Sequence, residues 1–345
     1  MAVKTLAIKY RPQSFDDVTE QDSVKVILKQ QLASGEVKNA YLFTGGAGTG
    51  KTTCARIFAN EINHGQGNPI EMDAASNSGV EDVRNIIQQA KTKSLDSEYK
   101  VFIIDECHSI SNTGWQAFLK LIEEPPTRSI FIFCTTDPQK IPKTILSRVQ
   151  RYDFHRISQK GIVYRLADII ASEYPIGGAE NVVVHHNAIE YIARIADGGM
   201  RDAITMLDKC LAFCNELTVE NVVKALGTVD YEVMMELTDE LVKGEAVQVV
   251  NIIEEVHNSG KDLKQFVHLY MQFLLDVNKY LLGCGWEHMN IPKLDQYEKW
   301  LGKIKEPEDI EYMRSLLSVI INLNRDIKYN AAPKYDIEAV LIGEC

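Results

Sequence analysis

The stretch FTGGAGTGKTT, residues Phe43–Thr53, has the spacing of a phosphate-binding loop at Gly45, Gly50, Lys51 and Thr52. Glycines let backbone N–H groups approach phosphates, the lysine reaches the terminal phosphates, and the threonine hydroxyl is left to hold Mg²⁺. Apolar residues at 41–44 predict a buried strand before the loop, and helical apolar spacing over 53–60 predicts a helix after it. That order aims the free N–H groups of a helix N-terminus at an anion, which an ordinary glycine-rich turn does not do. We predict that a nucleotide contacts Gly45, Gly46, Ala47, Gly48, Thr49, Gly50, Lys51, Thr52 and Thr53.

The composition predicts a soluble globular protein. The chain has 345 residues, 45% of them hydrophobic and 25% charged, so it is long enough for two or three domains. No apolar run reaches the ~18 residues needed to cross a bilayer, and residues 1–12 lack the apolar core of a signal peptide. We therefore expect a cytoplasmic protein with no membrane partner. A net charge of −11 argues against a basic surface throughout, although a local basic patch remains compatible with it.

The seven cysteines predict free thiols rather than disulfides or a metal site. They are scattered, odd in number and mostly inside apolar runs, which suits a reducing compartment. Cys210 and Cys214 are one helical turn apart, but no second Cys or His pair lies at zinc-finger spacing. We predict that no structural zinc is bound.

The order of apolar segments predicts an α/β domain with a parallel sheet, followed by helices. Short β-rich runs alternate with helical ones, which is typical of such a sheet; the predicted strands are 41–44, 70–73, 100–105, 130–135 and 150–154. Helices are predicted between them at 80–90 and 113–123. Strand signals then fade, and the later predicted helices are 158–173, 187–197, 201–215, 218–226 and a series from Tyr231 onward. With a second boundary near Gly227–Thr228, the predicted domains are 1–157, 158–226 and 227–345.

The segment Val101–Glu106 predicts the second half of a hydrolytic site. Its apolar strand ends in two acids, as in the second motif of phosphate-loop ATPases. Asp105 would orient Mg²⁺ together with Thr52, and Glu106 would polarise the attacking water. GTPases carry Asn-Lys-x-Asp, whereas the only Asn-Lys here, Asn278-Lys279, lies inside a helical run. ATP is therefore favoured over GTP.

Two arginines are candidates for balancing the negative charge of phosphoryl transfer. Arg148 precedes the last predicted strand, and Arg201 begins a helix after Gly198-Gly199. Composition alone would favour ordinary surface or capping arginines at both positions.

Several motifs, in their order, resemble the gamma/tau ATPase subunits of the bacterial DNA polymerase III clamp loader, which belong to the AAA+ ATPases. Besides the phosphate loop, the matching stretches are Tyr10–Phe15, Ile104–His108, Leu121–Pro126, Thr135–Lys140, Ile145–Arg148 and Gly198–Asp202. The resemblance implies an AAA+ domain with a parallel sheet, a helical lid and an all-α collar that joins subunits. It also implies an ATP-hydrolysing motor that opens and loads a sliding clamp on primed DNA, in a pentamer-type assembly with other clamp-loader subunits.

The resemblance further implies roles for individual residues. Arg148 would be a finger inserted into the ATP site of a neighbouring subunit, and Arg201 would reach ATP from the lid of the same subunit. Thr136, or Thr135, would be the first sensor at the end of the fourth strand. Tyr10, Arg11 and Pro12 would lie near the adenine.

Departures from the family pattern limit what the resemblance carries over. The family has a four-cysteine zinc module after the first helix of the ATPase domain, but Asn63–Pro69 contains none of its cysteines. Zinc is therefore not expected. The chain ends at Cys345 without the long extension of the tau form, so the resemblance is to the short gamma form.

Two other functions compete with the motor. A structural clamp-loader subunit keeps the fold and the arginine finger without hydrolysis, but Lys51, Thr52, Asp105 and Glu106 are all present. An AAA+ motor for branch migration or recombination is the second alternative. The long helical region after Arg148 favours the clamp loader.

Overall fold

The computed structural model describes residues 4–77, 79–94, 96–175, 182–227, 231–330 and 332–345. Its described residues up to 182, together with 192–212, form one compact unit, and 183–191 with 213–345 form another. The division into three domains at 157 and 226 stays a prediction. Thr228, part of the predicted second boundary, lies outside the described residues.

A five-stranded parallel sheet lies at the centre of the first unit, in the order β2-β3-β4-β1-β5. All five strands predicted from the sequence are confirmed: β1 (Ala40–Gly45), β2 (Ile70–Asp73), β3 (Lys100–Asp105), β4 (Ser129–Thr135) and β5 (Gln150–Phe154). Thr44 near the end of β1 lies opposite Thr135 on β4 and Asp153 on β5. Because parallel strands share one carboxyl edge, the phosphate loop, Asp105 and Thr135 meet there.

Both faces of the sheet are covered, which explains why the central strands β1, β3 and β4 read as continuous apolar runs, while the edge strands β2 and β5 keep exposed residues. Successive residues of a strand point to opposite faces, and Tyr41 and Phe43 of β1 belong to one core while Ala40 and Leu42 belong to the other. The first core includes residues of α2 (Asp22–Ser34) and α3 (Lys51–Ile62), and the second includes residues of α4 (Val80–Ala90) and α5 (Asn112–Glu123).

Helix α5 illustrates how local sequence sets these elements. Ser111 caps it, since the Ser111 Oγ accepts a hydrogen bond from the backbone N–H of Gly114 at 3.2 Å. Its apolar residues recur at helical spacing and turn to the sheet. Trp115 is only 2% exposed and belongs to the second core.

The remaining helices are numbered in chain order. In the first half they are α1 (Leu6–Lys9), α6 (Lys143–Leu146), α7 (Gln159–Glu173), α8 (His186–Ile195), α9 (Met200–Phe213) and α10 (Val219–Leu226). The later ones are α11 (Tyr231–Lys243), α12 (Ala246–Asn258), α13 (Leu263–Leu281), α14 (Asp295–Leu301), α15 (Pro307–Asp326) and α16 (Pro333–Gly343). Within the described ranges, no helix is both long and apolar enough to span a bilayer.

The second unit has its own hydrophobic core, formed by residues of α11 to α16. The prediction that only helices follow residue 157 is wrong in one detail. Val183–Val184 (β6) and Glu216–Leu217 (β7) form a short parallel pair. Strands of two residues are too short to produce a periodic signal.

Candidate active site

The phosphate loop connects β1 to α3 along a path that needs glycine. A Cβ atom on Gly45 would lie 2.3 Å from the carbonyl oxygen of Phe154, far inside van der Waals contact. Gly50 has a φ of 102°, in the left-handed region that favours glycine. The loop therefore runs close to β5 and enters α3 through a left-handed glycine.

Lys51 is the first residue of α3 and is buried. Its Nζ donates hydrogen bonds to the carbonyl oxygens of Gly45 at 2.9 Å and Gly46 at 2.7 Å. Burial lowers the pKa of the Lys51 ammonium, while Glu106 and Asp105 act in the opposite direction. Phosphate oxygens in the cleft would compete with the two loop carbonyls for this cation.

Thr52 and Asp105 form the best candidate for a magnesium site. The Thr52 hydroxyl donates to Asp105 Oδ2 at 2.7 Å, which joins the start of α3 to the end of β3. Mg²⁺ prefers oxygen ligands and is usually held by few protein groups together with nucleotide phosphates. The donor set therefore fits the ion that the sequence predicts.

Glu106 has an uncommon backbone conformation and a defined side-chain orientation. Its φ is 45°, and its N–H donates to Asp105 Oδ1 at 3.0 Å. The Thr136 hydroxyl donates to Glu106 Oε2 at 3.0 Å, whereas the Thr135 hydroxyl contacts His108. Of the two candidate sensor threonines, Thr136 is thus the one that contacts Glu106.

Arg201 reaches the site through the start of α9. The backbone N–H of Met200 donates to the Gly48 carbonyl oxygen at 3.1 Å, so the phosphate loop and the helix are directly joined. A Cβ atom on Gly48 would lie 3.1 Å from the Gly199 Cα, so this approach requires small residues on both sides. Arg201 and Asp202 consequently line the same cleft as the loop.

The N-terminal segment forms another wall, where adenine is predicted to bind. The Tyr10 hydroxyl donates to the Glu173 carboxylate at the end of α7, and Lys9 pairs with the same carboxylate at 2.5 Å. Arg165 Nη2 donates to the Tyr10 carbonyl oxygen at 3.1 Å. Burial, and then the hydrogen bond to Glu173, raise the pKa of the Tyr10 hydroxyl. These contacts fix Tyr10 against α7.

A single cleft of about 350 Å³ brings most of the predicted residues together. Those lining it are Tyr10, Arg11, Pro12, Ala47, Gly48, Thr49, Gly50, Lys51, Thr52, Thr53, Asp105, Glu106 and Arg201. Gly45 and Gly46 accept hydrogen bonds from Lys51 through their carbonyl oxygens, and Thr136 donates one to Glu106. Only Arg148, among the predicted catalytic residues, is away from this set.

Arg148 instead contacts residues at the end of α5 and in the segment just before Arg148 itself. Its Nη2 lies 2.8 Å from Glu123 Oε1, and its Nη1 donates to the Thr144 carbonyl oxygen at 2.8 Å. The side chain is 40% exposed. The role of Arg148 as an arginine finger stays a prediction, because that role requires the ATP site of a neighbouring subunit.

Sequence reasoning assigned no role to several polar side chains at the site. Arg56 and Arg165 line the cleft, and His108 contacts Glu106 at 3.3 Å. Arg56 could have been suspected, since it lies one helical turn after Thr52. Arg165 could not, because its position depends on how α7 packs beside Tyr10.

Over the described part of the chain, no group of three or more His, Cys, Asp or Glu residues could hold a metal ion.

Three family models match successive parts of the chain. They are the DNA polymerase III delta subunit over residues 68–158, the ATPase lid domain of a DNA polymerase III clamp loader subunit over 166–216, and domain III of DNA polymerase III subunits gamma and tau over 217–290.

Individual proteins agree with these matches. The DNA polymerase III subunit tau of Bacillus subtilis is 31% identical over 100% of this chain and 64% of its own length. The gamma/tau subunit of Mycobacterium tuberculosis is 35% identical over 75% of this chain and 48% of its own length. The chain therefore spans only about half to two thirds of the length of these relatives.

The solved structure of the Thermotoga maritima RuvB Holliday junction branch migration motor aligns with a TM-score of 0.53 and 19% identity, over 78% of this chain and 91% of that one. At that identity the likeness shows a shared fold alone.

Proposed function

The chain belongs to the gamma/tau family of DNA polymerase III subunits, and on that premise we propose that it is an ATP-hydrolysing motor subunit of a clamp loader. The fold class predicted from the sequence, an AAA+ α/β domain followed by a helical lid and a helical collar, is confirmed. One observation carries the functional proposal. A single cleft within one compact unit contains the phosphate loop, the Thr52–Asp105 pair, Glu106 and Arg201.

Each of these groups has a part in the proposed hydrolysis. Lys51 and the backbone N–H groups at the start of α3 bind the phosphates. Thr52 and Asp105 would hold Mg²⁺, which neutralises charge on the phosphate oxygens. Glu106 accepts a proton from the attacking water, and Arg201 stabilises the charge that develops on the transferred phosphoryl group. Tyr10, held by Glu173 and Arg165, would lie beside the adenine of ATP.

Arg148 completes the proposal by acting on another chain. Its guanidinium is exposed and outside the cleft, so it is available to a neighbouring subunit's ATP site. Hydrolysis would then depend on assembly with other clamp-loader subunits. We propose that ATP binding lets the assembly open a sliding clamp, and that hydrolysis on primed DNA releases the clamp.

The alternatives have weaker support. A non-hydrolysing structural subunit would not need the Thr52–Asp105 contact or the oriented Glu106 carboxylate. A branch-migration motor shares this fold, but the RuvB structure is similar at 19% sequence identity only. The gamma/tau relatives are similar at 31% and 35%.

The deciding experiment measures ATP hydrolysis by the full chain with its co-purifying partners. We expect stimulation by primer–template DNA, and further stimulation when a ring-shaped clamp co-purifies. Stimulation by four-way junction DNA but not by primed DNA would favour branch migration. ATP binding without turnover, with partners and primed DNA present, would favour the structural subunit.

A further inference from the structure

Thr136 and His108 both contact the carboxylate of Glu106, and the sequence predicted a role for Thr136 alone. Thr136 donates to Oε2 at 3.0 Å, and His108 Nδ1 lies 3.3 Å from the same oxygen. Neither contact involves Oε1. Both hold one edge of the carboxylate, so the other edge can serve a water molecule.

His108 reaches Glu106 because the chain turns sharply after β3. Glu106 has a left-handed φ of 45°, and Cys107–Ser109 form a 3₁₀ turn that follows directly. A left-handed backbone is costly for a residue with a side chain and is retained mainly where the surroundings require it. The turn brings the imidazole of residue 108 back beside the side chain of residue 106.

The same imidazole nitrogen that faces Glu106 also contacts a side chain of the sheet. His108 Nδ1 is 3.1 Å from the Thr135 Oγ1 on β4, and Thr135 is fully buried. The Thr135 Oγ1 also accepts a hydrogen bond from the Asp137 N–H at 3.0 Å. Nδ1 is hydrogen-bonded to Thr135 and lies within ion-pair distance of the Glu106 oxygen, and because a carboxylate can only accept hydrogen bonds, a proton on Nδ1 is compatible with both neighbours. We therefore assign His108 the tautomer with its proton on Nδ1.

We propose that His108 is a positioning residue for Glu106. It links the carboxylate to β4 through Thr135, while Thr136, the residue that follows β4, contacts the carboxylate directly, and so His108 keeps Glu106 oriented toward the attacking water. This inference rests on the proposed function, in which Glu106 is the general base. His108 does not line the cleft, so it acts on turnover through Glu106 and not on ATP binding.

Three substitutions of His108 separate positioning from general structural support. Asparagine can present an N–H near the place of Nδ1, glutamine presents one near Nε2, and alanine presents none. We expect kcat for ATP hydrolysis to fall about tenfold in His108→Ala and His108→Gln, because a misaligned reacting group loses much of its effectiveness. His108→Asn should retain most of the wild-type kcat. The KM for ATP and the affinity for a non-hydrolysable ATP analogue should stay near wild type in all three.

Two controls accompany these variants, all made in the full chain with its co-purifying partners. His186→Ala removes an exposed imidazole that lies 3.2 Å from Glu190, and it should leave kcat unchanged. Glu106→Gln should remove hydrolysis while the analogue still binds. If His108→Ala does not fold, the comparison of His108→Asn with His108→Gln decides.

The possible outcomes are distinct. An unchanged kcat in all three variants, or an equal loss in asparagine and glutamine, would overturn the role of Nδ1 while the proposed function stands. Wild-type protein that binds the analogue but shows no hydrolysis with partners and primed DNA would overturn the proposed function, and this inference with it.

Discussion

The nucleotide cleft and the Arg148 cluster, which consists of Glu123, Thr144, Ser147 and Arg148, hold their cations in different ways. In the cleft, the Lys51 ammonium is buried and bonded to two loop carbonyls. In the Arg148 cluster, the guanidinium is 40% exposed and paired with a carboxylate that is 47% exposed. A buried cation can act only on its own cleft, whereas an exposed one can change partners.

This difference also has an energetic side. An exposed ion pair contributes about 0 to 1 kcal/mol, so little is lost when Arg148 leaves Glu123. With a phosphate bound, Lys51 would belong to a buried charge pair, and removing one partner of such a pair costs about 2 to 5 kcal/mol. Lys51 is therefore expected to stay in the cleft, whereas Arg148 can leave Glu123 for another partner at little cost.

The largest effect is expected for Lys51→Ala, which removes the buried cation. ATP binding should weaken about 100-fold or more, because the phosphates lose their charged partner. Equilibrium binding of a fluorescent ATP analogue measures this, with Lys29→Ala as the control at an exposed lysine of α2. Near-normal affinity in Lys51→Ala would contradict the assignment of the phosphate loop.

Glu106→Gln should affect hydrolysis and not binding. Loss of a general base lowers turnover by about 100-fold to 10,000-fold, and the amide keeps the size of the side chain. Single-turnover hydrolysis together with analogue binding separates the two effects. Normal turnover would show that another group activates the water.

Arg148→Ala should leave ATP hydrolysis by the chain alone unchanged and lower hydrolysis by the assembly. Arginine fingers supplied by another chain contribute about 1,000-fold or more in related chemistry. We expect ATP binding to persist and DNA-stimulated turnover to fall at least tenfold when partners are present. Arg151→Ala removes an exposed arginine that pairs with Asp153 and serves as the control. Equal losses with and without partners would break the contrast between the two regions.

The same contrast explains what the sequence could predict. The phosphate loop and Asp105–Glu106 are local motifs whose residues are adjacent in the chain, so their chemistry could be assigned before the fold was known. The central strands β1, β3 and β4 are buried on both faces, and their apolar runs located them, whereas the edge strands β2 and β5 are shorter and partly polar and were predicted from their place in the alternation of strands and helices. Thr136 was placed near the site only through the family resemblance, and its contact with Glu106 depends on the pairing of β3 with β4.

Contacts between distant segments escaped sequence reasoning. Glu173 holds Tyr10 across 163 positions, and no periodicity reports such a pairing. Asp276 in the second unit is a further example: it is buried and bonded to Lys279 and to the N–H of Ile291. Its role there is to satisfy backbone and side-chain donors within a helical core. Nothing in the pattern of α13 distinguishes it from a surface aspartate.

Glu123→Gln tests the exchange of Arg148 with a smaller effect. The free chain pairs Arg148 with Glu123, so inserting the guanidinium into another site first requires breaking that pair. Removing the pair should raise DNA-stimulated turnover by up to about fivefold, the equivalent of about 1 kcal/mol. The matched control is Glu124→Gln, at the neighbouring exposed glutamate. A decrease in Glu123→Gln would instead mean that Glu123 orients Arg148 inside the assembly.

The smallest effect is expected for Glu173, which holds Tyr10 at the wall of the cleft through contacts within this chain. Hydrogen bonds from Lys9 and then from Tyr10 lower the pKa of Glu173 below its ordinary value of 4.5. A carboxylate with a lowered pKa in the folded state stabilises that state above its unfolded pKa, and the stabilisation is lost as the pH falls through the folded pKa. Thermal unfolding of wild type and Glu173→Gln should therefore differ most above pH 4.5 and converge in more acidic buffer, with Glu36→Gln as an exposed control. A constant difference across that range would mean that Glu173 acts by packing rather than by charge, and that Tyr10 is held to α7 by shape alone.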